Sequence, residues 1–183
     1  GRTTTAMPPT PIRPFSLEFA SLSPYAATEI MDLSEAQVDR VFKAYDATML
    51  IMHDLGIFPR KDNRQEEEIV LELNEFEVGY PKMTLSYLID IANFFLASLA
   101  HTDHEPFNVE FKGEKAGQII QQRIRAIQTN NEISWKALLG KLWRLKRTDI
   151  FDNPKAQPIP FDKLIAPGRV AGSARWAANT RVR

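Results

Sequence analysis

The sequence predicts a mainly all-α fold: a single core of five or six helices with extended N- and C-terminal arms. Three observations point there. First, residues 84–99, TLSYLIDIANFFLASL, set Leu85, Leu88, Ile89, Ala92, Phe95, Leu96 and Leu99 at helical spacing. Ile91 and Phe94 widen that surface until little of the circumference is left for water, which places this helix in the middle of the core. Second, the neighbouring apolar segments carry helix-capping residues at their ends. Third, nine of the twelve prolines sit outside the interior: Pro8, Pro9, Pro11, Pro14 and Pro24 at the front, Pro154, Pro158, Pro160 and Pro167 at the back. Pro59, Pro81 and Pro106 fall in expected loops.

Residues 1–23 form the N-terminal arm. Its prolines impose extended chain, yet Ile12, Phe15, Leu17 and Phe19 are apolar, and a plain linker has no need of them. These four are the candidate subunit-contact residues, expected to dock on a neighbouring copy. The helical core is expected over 24–151. Ser23-Pro24 reads as an N-cap followed by proline at the first helical position, opening a short helix to about Met31. Ser34 and Gln37 make a capping box, with Leu33 and Val38 placed as a hydrophobic staple. Val38, Val41, Phe42, Tyr45, Met49 and Met52 continue that helix to Leu55, and Gly56 stops it.

Residues 64–78 share a helical face through Ile69, Val70, Leu73 and Phe76, behind an Asn63/Glu66 capping pattern; a strand is the poorer alternative. After the central helix, Phe107, Val109 and Phe111 alternate, which permits a short strand near 107–111 or an extended crossing. Ala116, Ile120, Ile124 and Ile127 outline a helix ending near Asn130 and Asn131. The last helix, about 132–147, is expected to bury Trp135, Leu138, Leu139, Leu142, Trp143 and Leu145. Residues 152–183 are the basic C-terminal arm, where proline and glycine forbid a long helix before residue 173.

Composition narrows the chemistry. With no cysteine, disulfides, thiolate metal sites and cysteine nucleophiles are excluded, and a reducing compartment is the natural setting. No apolar run precedes Phe15, so no secretory leader is expected. His101 and His104 bracket Asp103, but HTDH lacks zinc-site spacing and reads as a polar loop. His53 reads as a surface or boundary residue. Phosphate-cradling glycine loops and a nucleophile elbow are missing from the sequence. The expectation is no cofactor, no metal, no catalytic residues and no membrane span. An enzyme would need Asp90 and Asn93, three apart on the central helix, which read instead as its one wet or inter-helix edge.

Charge is the sharper signal. Residues 60–110 carry eleven acids and four bases, a net −7; residues 112–147 carry nine bases and two acids, a net +7. The C-terminal arm adds six bases against two acids. The zero overall charge is therefore a cancellation of two poles. Opposite poles favour head-to-tail association, and a basic pole can hold a nucleic-acid backbone without reading its sequence. Arg123, Arg125, Lys136, Lys141, Arg144 and Arg147 are the candidate phosphate contacts, with RNA the expected partner alongside copies of the chain itself. This organisation is that of a self-assembling subunit of the coat or nucleocapsid type, expected in a virion or the cytoplasm. An adaptor or assembly subunit without nucleic acid shares the arms but forms no polymer, and a small helical enzyme is the third alternative.

Overall fold

In a computed structural model, which describes residues 15–57, 80, 82–127 and 129–159, helices begin where side chains take up the orphan N–H groups of a first turn. Ser23 Oγ accepts from the Ala26 N–H at 3.2 Å and opens α1, Pro24–Ile30. The Ser34 N–H donates to Gln37 Oε1 at 3.1 Å, and α2 runs Glu35–Asp54 before Gly56 turns the chain at φ 69°. Thr84 caps α3, Leu85–Ala100, by accepting from the Tyr87 N–H at 3.2 Å. Gly113, at φ 93°, precedes α4, Glu114–Ala126. Asn131 sits in the left-handed region at φ 63° and caps α5, Glu132–Lys146, through the Ser134 N–H at 3.2 Å. The fold is mainly helical, as expected, with five α-helices among the described residues. The helix expected over 64–78 lies outside them.

Helix α3 is the hub, packed against α5, α2 and α4. Leu85, Leu88, Ile89, Ile91, Ala92 and Phe95 are wholly buried on it. Phe95 stacks on Trp135 with centroids 4.5 Å apart and planes 16° from parallel. The Trp135 indole N–H donates to Thr129 Oγ1 at 2.7 Å, so its polar edge is satisfied inside the core. On α2 the buried stripe is Val41, Ala44, Tyr45, Thr48, Ile51 and Met52, and Thr48 returns its hydroxyl to the Ala44 carbonyl at 2.6 Å. Each fully buried Leu or Ile contributes about 1.5–3 kcal/mol relative to exposure.

Three expectations are corrected. Residues 107–111 are not a strand: Val109–Phe111 is a 3-10 turn, because the side chain of Asp90 takes the Phe107 and Asn108 N–H groups that a ladder would need. Helix α4 stops at Ala126 rather than near Asn130; Ile127 is already extended, since Thr129 is tied to Trp135 and Asn131 must turn to cap α5. Trp143 and Leu145 are half-buried, whereas Trp135, Leu138, Leu139 and Leu142 are buried as expected.

Parts of both arms belong to the core. Phe15–Ser16 (β1) pairs in parallel with Gln157–Pro158 (β2), and Leu17 bridges to Phe151. The Leu17 N–H donates to the Ile150 carbonyl at 2.7 Å, and the Ile159 N–H to the Ser16 carbonyl at 2.8 Å. Leu17 and Phe19 are buried in the chain's own core, with Phe15 packed on it and Phe19 edge-on to Phe151 at 5.9 Å. Those three therefore anchor the arm to its own subunit; Ile12, like residues 160–183, lies outside the described residues. Asp152, at φ 51°, locks the junction. Its Oδ1 accepts from the Phe19 N–H at 2.9 Å and its Oδ2 from the Leu85 N–H, the first of α3, at 2.8 Å.

Candidate nucleic-acid interface

The six candidate phosphate-binding residues divide into two groups. Arg123, on α4, is spoken for: its Nε and a terminal nitrogen meet the two oxygens of Asp54 at 2.6 and 2.9 Å, clamping the end of α2 to α4. The hydrogen bond from Arg123 holds the Asp54 carboxyl below its ordinary range, against the partial burial that opposes it, and the same bond raises the guanidinium. Lys136 pairs with Glu132 one turn earlier at 2.5 Å. Lys141 donates to the Asp32 carbonyl, bridging α5 to the end of α1. Arg125, Arg144 and Arg147 are exposed and have no ion pair among the described residues.

Arg125 stands on the rim of a cleft of about 420 Å³ between α3, the loop after it, and α4. Phe94, Ile120 and Ile124 give it an apolar floor, and His101 and His104 share the rim with Arg125. His101 closes α3 at φ 53°, where the Thr102 N–H donates to the Ala97 carbonyl at 3.0 Å. Arg147 follows half-buried Trp143 by four residues and so shares that side of the helix end.

His104, on the rim of that cleft, leads to Asp90, whose surroundings differ from the sequence expectation. Asp90 is neither a wet nor an inter-helix edge of α3; it is 0% exposed and its partners come from the loop that follows. Its carboxyl lies 3.1 Å from His104 Nε2, accepts from the Phe107 and Asn108 N–H groups at 3.0 Å each, and from the Asn108 side-chain amide at 2.5 Å. A buried carboxyl is costly unless its lone pairs are filled, and here a loop folds round it to fill them. The signal was in the sequence: one acid on an otherwise apolar helix needs partners, although nothing local says which. His104 is then held edge-on between Phe94 at 4.8 Å and Phe107 at 5.5 Å. Asn93, the other polar residue of α3, merely returns its amide to the Ile89 carbonyl at 2.9 Å.

Asp90 and His104 have the acid–imidazole arrangement of a catalytic pair, but among the described residues no hydroxyl is hydrogen-bonded to the His104 ring. No group of three or more His, Cys, Asp or Glu among the described residues is placed to hold a metal ion. Nearby, burial and the adjacent Glu110 push the Tyr87 phenol up to about 12. No described helix is long and apolar enough to cross a membrane. Comparison of the chain with known protein families, curated proteins and solved structures yields no match.

Proposed function

We propose that this chain is a structural, self-assembling subunit of the coat or nucleocapsid type that holds RNA through its phosphates, without reading sequence. One observation carries the nucleic-acid half of this reading. Arg125 and Arg147 stay exposed with no acidic partner among the described residues, in a stretch where nine bases face two acids. Exposed arginines without an ion pair among the described residues suit a partner that brings its own negative charge. The separation of acidic and basic poles along the chain supports the self-assembly half.

Titration of a labelled, mixed-sequence single-stranded RNA, followed by fluorescence anisotropy over a range of salt, tests the phosphate contacts. Each phosphate contact on a single strand contributes about 0.7 to the slope of log K against log salt. Arg125→Ala with Arg147→Ala is therefore expected to lower that slope by about 1.4, equally for different RNA sequences. An unchanged slope, or no binding by the unaltered chain at low salt, contradicts the reading.

A further inference from the structure

The loop that Asp90 organises displays apolar side chains to solvent. Phe107 is 52% exposed and Val109 77%, although the backbone beneath them is fixed by the Asp90 carboxyl. Phe107 is further propped edge-on against Trp143 at 5.4 Å and His104 at 5.5 Å. An apolar tip held in one geometry has lost its conformational entropy before any partner arrives. The tip is acidic at its sides, with Glu105 before it and Glu110 after it. Glu105, 88% exposed, has only Lys112 at 3.8 Å as a described ion-pair partner.

A hollow of about 200 Å³ between α1 and α5 has the opposite character. Ile30, Met31 and Leu145 give it apolar walls, and Lys141 and Arg144 make it basic. Ile30 is 48% exposed, and Arg144 has no ion pair among the described residues. Lys141, tied to the Asp32 carbonyl, fixes the two helices that form the hollow.

Helix geometry decides how these two features relate. Lys141, Arg144 and Leu145 share a face at i, i+3 and i+4, while Trp143, which carries Phe107, lies about 150° round the same helix. The acidic tip and the basic hollow thus sit on opposite sides of α5, so the tip of one molecule can meet the hollow of another in a head-to-tail contact that repeats. We infer that the 105–110 tip of one copy seats in the α1–α5 hollow of the next, Val109 entering it, Phe107 packing on its edge and Glu105 pairing with Arg144. This rests on the self-assembly reading and narrows it to one contact.

Charge reversal tests the pairing. Glu105→Arg keeps a working hollow and spoils the tip; Arg144→Glu keeps a working tip and spoils the hollow. Both residues are exposed, so circular dichroism and thermal unfolding should match the unaltered chain. Light scattering over a concentration series, with and without RNA, should show the unaltered chain growing into larger species and each single variant remaining monomeric. An equimolar mixture of the two variants should regain growth as an alternating species, since the unaltered tip of one fits the unaltered hollow of the other and the two reversed sites fit each other. The double variant should regain growth. Single variants that assemble like the unaltered chain overturn this contact while leaving self-assembly standing. An unaltered chain that stays monomeric throughout overturns both.

Discussion

Asp90 shows what one side chain can organise. It is buried on the central helix, and three N–H donors and an imidazole converge on it from a single loop. Asp90→Ala strands those donors and should lower stability by roughly 3–5 kcal/mol in urea unfolding. Asp90→Asn, which keeps one acceptor oxygen, should cost about half as much. A loss under 1 kcal/mol for the alanine variant would mean that water replaces the carboxyl at little cost. Asp54 offers a pH test. Arg123 holds its carboxyl below the ordinary range in the folded chain, so the pair's contribution is complete above that range and is lost as pH falls through the lowered value. Asp54→Asn should therefore be less stable by about 0.5–1 kcal/mol near neutrality, as expected for a pair partly screened by solvent, with the difference vanishing in acid. Equal stabilities at every pH would remove the clamp. Such partnerships were poorly legible in the sequence: Arg123 and Asp54 are 69 residues apart, and only packing α2 on α4 brings them together.

At the scale of elements, legibility followed the reach of the signal. The caps at Ser23 and Ser34, the stop at Gly56 and the apolar circumference of α3 are encoded within a turn or two, and these elements lie where the sequence put them. The alternation of Phe107, Val109 and Phe111 misled because a strand needs a neighbour, and Asp90 had already taken the N–H groups. Phe15, Leu17 and Phe19 lie on a surface, as their apolar character requires; sequence alone does not say whose. Asp152 is what makes that surface the chain's own. Asp152→Ala removes the acceptor of the Phe19 and Leu85 N–H groups and places alanine at a positive φ. It should cost about 2–3 kcal/mol and speed amide exchange at Leu17 and Ile159, whose N–H groups hold the arms together. Unchanged exchange at those two amides would show the arms held by burial of Leu17 and Phe19 alone.

At the scale of the whole molecule, fold and charge play different parts. The helical core gives a rigid body, and its described polar interior is largely satisfied, with Arg40 Nε the one buried side-chain nitrogen or oxygen lacking a partner among the described residues. The chemistry left over is on the surface: exposed arginines, an acidic apolar tip and a basic hollow. The poles themselves were plain from counting charges, but which bases lack an ion pair among the described residues was not, because Arg123, Lys136 and Lys141 find partners that only the folded chain supplies. We propose that such a body multiplies itself along a nucleic acid. Light scattering across a sizing column, with absorbance read at nucleic-acid and protein wavelengths, measures both halves at once. Particles far heavier than the 20.8 kDa chain, carrying excess nucleic-acid absorbance, are expected. A monomer without that absorbance, even after incubation with RNA at low salt, would contradict the proposal.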